Sequence, residues 1–185
     1  MKKIFSFVLV ACMAALAMTS CNDKNNPTDP TDPTKPDTKP VAAAIQFEAT
    51  FDPITIEQCD ISFDYYDENG NKKNEVVTTT EWTKKIQTAA LPATLGFHWN
   101  LAVKANLDET KYEHFVVDAE FSYASASLNA SGAAVKENKV GPFSSHISMA
   151  IAKREAVVTS IMNNNPVSFV HKYDAEGKLT SEDWK

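Results

Sequence analysis

The amino-acid sequence predicts a mainly-β domain, two antiparallel sheets packed face to face, behind an export signal and a proline-rich linker. Three observations lead there. Apolar and polar residues alternate with period two through most of residues 41–185. Asn69-Gly70, the strongest short hairpin signal, sits between two such runs. No stretch after residue 20 is apolar for long enough to span a bilayer. A closed barrel would show the same alternation and is the alternative architecture.

Lys2 and Lys3 form a basic start, and Ile4 to Met18 is almost unbroken apolar sequence. At 1.5 Å per residue that stretch reaches about 22 Å, short of the roughly 30 Å hydrocarbon core. Residues 1–20 therefore read as a signal peptide and take no part in the fold. Met18-Thr19-Ser20-Cys21 resembles the lipobox of bacterial lipoproteins, in which small residues precede a cysteine that becomes lipidated and N-terminal. The resemblance implies lipidation at Cys21 and makes the membrane a partner of the chain. Leu9-Val10-Ala11-Cys12 is a closer local match, but it leaves only Ile4–Val8 as the apolar core. Cleavage after Ala15-Leu16-Ala17 would instead release a soluble protein.

Residues 21–40 form the linker. Prolines 27, 30, 33 and 36 recur every third residue, the repeat of a polyproline II helix, and Pro40 follows. With no apolar side chain to bury, the segment cannot join a core. Fully extended at about 3.1 Å per residue, residues 22–40 would hold a domain up to roughly 60 Å from an anchor. A ligand for a proline-recognition module is the competing reading. Lipobox, Asn/Asp/Lys cluster, stalk and small β-rich domain together resemble the envelope lipoproteins of Bacteroidota-type Gram-negative bacteria. That resemblance implies an outer-membrane lipoprotein, surface-exposed or facing the periplasm. Acidic residues after the lipidated cysteine direct surface export in that family, and here only Asp23 is present, beside Lys24.

The remaining residues, 41–185, read as a single β domain. They carry 13 Lys/Arg against 20 Asp/Glu, which argues against nucleic acid as a partner. Ile45, Phe47, Ala49 and Phe51 share one parity, as do Cys59, Ile61, Phe63 and Tyr65. Ile54 and Ile56 fall out of phase with the second set, predicting a bulge near Glu57-Gln58. After the Asp67–Gly70 turn, Val76, Thr78, Thr80, Trp82 and Ile86 define one return strand. Leu95–Val103, Phe115–Tyr123, Phe143–Ile151 and Val167–Tyr173 follow, making seven to eight strands in all. Glu155 to Asn165 is the exception: Val157/Ile161 and Val158/Met162 are i,i+4 pairs, which predict a short helix, although Val157–Ile161 would also suit a strand. Tyr65 to Trp82, with Tyr-x-Asp-x-x-Gly leading to a strand that ends in Trp, resembles hairpins of immunoglobulin-like or MmpS-like secreted domains. Tyr173-Asp174-Ala175-Glu176-Gly177 repeats the turn.

Candidate chemistry is sparse, and no cofactor is expected. His98, His114 and His146 have polar-face parity, with Asp118 and Glu120 on the face of His114, so a metal cluster requires their strands to be neighbours. His171 has core parity. Cys59 lies between Glu57 and Asp60, carboxylates that disfavour a thiolate, and reads as buried and inert. The Asp67–Asn71 loop lacks the EF-hand spacing, and Ser122, Ser125, Ser127 and Ser131 lack a nucleophile elbow. Trp82 and Trp99 point inward by parity. Tyr66 and Tyr112 point outward, and Trp184 lies off the parity of Leu179, so these three are the candidate ligand-binding aromatics. The expectation is a non-enzymatic, lipid-anchored module that binds a glycan, peptide or envelope protein. A small envelope hydrolase or metal-dependent enzyme is the first alternative. A structural subunit or inhibitor docking by a sheet edge is the second.

Overall fold

The computed structural model describes residues 38–185; the signal-peptide and Cys21 readings, and all but the end of the linker, lie outside them. The described chain is mainly β, in two antiparallel sheets with no closed barrel. Nine strands form, in chain order β1 (Ala42–Phe51), β2 (Cys59–Tyr66), β3 (Lys72–Val77), β4 (Glu81–Gln87), β5 (Ala93–Val103), β6 (His114–Leu128), β7 (Ala134–Ala150), β8 (Ser168–Tyr173) and β9 (Leu179–Glu182). One sheet runs β4-β1-β6-β7 and the other β3-β2-β5-β8-β9. Helix α1 (Pro53–Gln58) joins β1 to β2, and α2 (Arg154–Asn163) joins β7 to β8.

Alternation explains the sandwich directly, since successive side chains point to opposite faces of a strand. Ile45, Phe47, Ala49 and Phe51 turn inward from β1 to meet Ile61 and Phe63 of β2 and Leu95, Phe97 and Trp99 of β5. Phe47 is central, its ring 4.7 Å from Phe97 and 5.3 Å from Phe63. Trp82 stacks on Phe63 at 4.5 Å, so both inward-facing tryptophans lie in the core as their parity requires. Each such fully buried side chain contributes about 1.5–3 kcal/mol. The predicted helix forms as α2, which buries Val157, Val158 and Ile161 against the core.

Two local expectations are corrected. Ile54 and Ile56 are out of phase because they belong to α1 and not to a bulge: Asp52 accepts the Ile54 N–H at 2.8 Å as the N-cap, and Pro53 opens the first turn. The return strand after Gly70 is two strands. β3 pairs with β2 in one sheet, Thr78–Thr80 carries the chain across, and β4 pairs with β1 in the other. The crossing shifts the phase, so Val77 is buried while Val76 is 66% exposed. Glu75 ties the two halves together. It accepts from Trp82 Nε1 at 2.8 Å and from Lys84 Nζ at 2.6 Å, and these bonds, Lys84's first, hold its carboxyl below the ordinary value despite some desolvation.

Candidate functional site

The outer face of the five-stranded sheet gathers the most chemistry. Tyr66, the last residue of β2, presents its ring 4.8 Å from that of Trp184. Trp184 follows β9, which lies at the far edge of the sheet, so the chain returns over β8 and β5 to bring the indole there. The indole also stacks on His98 of β5 at 6.1 Å, and Lys72 Nζ lies 5.0 Å from its centroid while donating to the Lys185 carbonyl at 2.8 Å. Cation and indole face attract one another electrostatically. Two of the three candidate aromatics are thus one cluster.

Next to it runs a polar row made by strand register. Asp64 is opposite Asn74 of β3 and His98 of β5. Its two carboxylate oxygens accept from Asn74 Nδ2 at 2.7 Å and Asn100 Nδ2 at 2.8 Å, and Asn74 also donates to Ser62 Oγ at 3.2 Å. His98 Nδ1 lies 3.0 Å from Ser168 Oγ. Partial burial lowers the His98 pKa, and Lys72 lowers it further, while the Asp64 charge opposes both. Along this face a shallow groove of about 590 Å³ runs past Asp60, Ser62, His98 and Asn100 to Met162 of α2. His98 belongs to both groove and aromatic cluster. Parity marks Asp64 and Asn100 as outward, whereas Asn74 shares the parity of Val76, which the sequence put inward. The phase shift in β3 turns it out, and the register makes the three neighbours.

Tyr112 stands apart. It follows the 3₁₀ turn Glu109–Lys111, and its hydroxyl donates to Glu57 Oε2 at 3.0 Å, just before β2 begins. Tyr66 closes β2, so Tyr112 lies at the other end of the sandwich. The histidines do not converge either. His98 is on the five-stranded sheet, whereas His114 and His146 are on β6 and β7 of the other, where His146 Nδ1 contacts Asp118 Oδ2 at 2.9 Å. Among the described residues no three His, Cys, Asp or Glu side chains are placed to hold a metal ion.

The remaining motifs have structural roles. Asp67 accepts the N–H groups of Asn69 and Asn71 at 3.0 and 2.8 Å, with Gly70 at φ 77°, and the bond from Asn71 leads in lowering its carboxyl pKa. Asp174 repeats this with Glu176, Lys178 and Gly177. Asn129 builds a third copy with Ser131, Ala133 and Gly132, which the Tyr-Asp spacing did not reveal. Burial pushes the Cys59 thiol up to about 12, Asp60 adding to it and Lys104 opposing it, so it is neither a nucleophile nor a ligand at neutral pH. His171 is buried with Nδ1 3.1 Å from Ser125 Oγ, and desolvation lowers its pKa to about 4. A second concavity, about 240 Å³ on the outer face of the four-stranded sheet, is lined in part by alanines such as Ala44, Ala124 and Ala126, with Lys85 and Glu137 among its other lining residues.

The fold and this surface define a two-sheet antiparallel β protein with an aromatic and polar cluster on one outer face. No family model and no curated protein matches the chain.

Proposed function

We propose that the protein is an envelope lipoprotein, anchored through Cys21, whose β domain binds glycan on the outer face of its five-stranded sheet. The observation that carries this is the contact between Tyr66 and Trp184, beside the row Asp64, Asn74, Asn100 and His98. A pyranose ring offers apolar C–H faces to stack on indole and phenol rings, and equatorial hydroxyls that need planar donors and acceptors. The rings and the polar row supply both on one sheet face, and His98 and Asn100 line the groove beside them. Asp64 is fixed by two amides, so its remaining lone pairs are oriented before a ligand arrives, which lowers the ordering cost of binding.

Trp82 and Trp99 are buried, so Trp184 is the indole whose fluorescence an incoming ligand would change. Soluble cello-, xylo- and chito-oligosaccharides, titrated into the protein, should give a saturable change with at least one class. Trp184→Ala and Asp64→Ala should each weaken that binding about tenfold or more, and Tyr112→Ala should leave it unchanged. Equal affinity in Trp184→Ala, or no saturable response up to about 10 mM, a level of negligible affinity, would overturn the reading.

A further inference from the structure

We propose that a second copy of this chain pairs with the free edge of β7 through Ser144–Ala150, joining two four-stranded sheets into one. β7 is an edge strand of 17 residues, and its halves differ. The first carries Lys136, Glu137 and Lys139 and ends at Gly141-Pro142, where the pairing register with β6 shifts. The second, Phe143 to Ala150, contains no lysine, carboxylate or proline. The other sheet edges are blunted in the usual ways. β3 carries Lys72, Lys73 and Glu75, β4 carries Glu81, Lys84 and Lys85, and β9 is four residues long.

The direction of the unpaired backbone groups follows from hydrogen bonds on β6. The N–H groups of Val116 and Asp118 point to α1, where Gln58 and Thr55 accept them, so Phe115, Val117 and Ala119 face β7. The Ile151 N–H, which donates to Glu113 O at 3.1 Å, agrees. Met149, Ile147 and Ser145 are thus bonded to β6, and the N–H and C=O groups of Ser144, His146, Ser148 and Ala150 point away from the sheet. All four of these residues are exposed. The contrast is informative: where β6 outruns β1, α1 supplies side chains to satisfy its backbone, yet nothing among the described residues does so for β7.

The occupant follows from what an antiparallel two-fold pairing brings together. With the axis at His146, Ser144 meets the second copy's Ser148, and about six backbone hydrogen bonds form. On the core side, half-buried Phe143 meets Met149, which is 44% exposed in one copy alone. No lysine or carboxylate of either strand faces a like charge. The net negative charge of each domain is screened beyond about 8 Å at physiological salt. The chain's own linker is a poor competitor, because proline at every third position removes the N–H groups that an added strand must donate. An interface this small implies a dissociation constant on the order of 10 μM.

The test uses the full chain, expressed and extracted in detergent. Sedimentation should show concentration-dependent dimers, and His146→Cys should gain a dimer band with a short bismaleimide, against the parent chain as baseline. Ser148→Lys and Ser148→Pro alter only the outward edge. Each should weaken the dimer at least tenfold, with circular dichroism and melting retained as evidence of folding. Monomers up to about 200 μM, well above the expected constant, would overturn the proposal. So would dimers indifferent to both Ser148 variants, or a His146→Cys cross-link to a different polypeptide.

Discussion

The Gln58 side chain takes the place of a missing strand: its Oε1 accepts the Val116 N–H at 2.8 Å and its Nε2 donates to the His114 carbonyl at 2.9 Å. β1 has ended by then, its last partner on β6 being Ala119, and Thr55 Oγ1 accepts the Asp118 N–H at 2.9 Å one step earlier. Gln58 and Thr55 are both fully buried. Gln58→Ala would strand a buried donor and acceptor together. Each orphaned group costs about 1–3 kcal/mol, so the variant should lose about 2–6 kcal/mol in urea unfolding. Gln58→Glu keeps the acceptor for Val116 but sets a second acceptor, buried and charged at neutral pH, against the His114 carbonyl, and should lose at least as much as Gln58→Ala at pH 7. A loss below about 1 kcal/mol in Gln58→Ala would show that water replaces the amide.

His171 makes stability depend on pH. Its side chain is buried beside Ser125, with Tyr123 and Phe169 rings 5.5 and 4.9 Å away, and its folded pKa is about 4 against an ordinary 6.5. Between those values the unfolded chain binds a proton that the native chain refuses. Stability is therefore full above pH 6.5 and falls as the pH drops toward 4, by about 3 kcal/mol in total. His98, lowered in the same direction, adds a shallower part. Carboxylates held below their ordinary values, such as Glu75, contribute only lower down, as the pH falls past those ordinary values. Denaturant midpoints at pH 7, 5.5 and 4.5 should show the decline, and His171→Phe should remove most of it. A flat profile in the parent would mean that the ring is protonated in place.

Strand alternation was legible wherever a strand has one wet and one buried face, as at Ile45–Phe51 and Leu95–Val103. It failed where the chain leaves that regime. α1 carries apolar Ile54 and Ile56 outward or half-outward and polar Thr55 and Gln58 inward, because its inward side serves backbone groups and not the core. The first half of β7 and all of β9 bury little, so no apolar parity announced them. The site shows the same division. Tyr66 and Trp184 were each marked as outward, but their contact depends on a chain reversal across two strands, which has no local signature. Asp64, Asn74 and Asn100 required the pairings of β2 with both β3 and β5.

Trp184 should contribute little to folding despite its ring contacts. It is half-buried, it follows the last strand, and its neighbours Tyr66, His98 and Lys72 are themselves at the surface. Trp184→Ala and Tyr66→Ala should each shift the melting temperature by less than about 4 °C, corresponding to a loss within about 1 kcal/mol. Trp99→Ala, by contrast, removes a fully buried ring 4.8 Å from Phe121 and should cost about 3–5 kcal/mol. A drop in Trp184→Ala as large as that in Trp99→Ala would make the indole a structural clasp and not a ligand platform.

Anchoring at Cys21 makes a separate prediction, because Cys59 cannot substitute for it. The Cys59 thiol is buried and held up to about 12, so neither acyl transfer nor surface attachment can use it in the folded domain. One acyl chain binds a bilayer only marginally, whereas two or three, at about 0.8 kcal/mol per buried CH₂, hold a protein there durably. Cys21→Ser should therefore move the expressed protein from the membrane pellet to the soluble fraction after a carbonate wash. Cys12→Ser should leave it in the pellet, and labelled palmitate should mark the parent and Cys12→Ser but not Cys21→Ser. Membrane retention of Cys21→Ser would remove the lipid anchor from the reading and leave the β domain's own surface to explain the association.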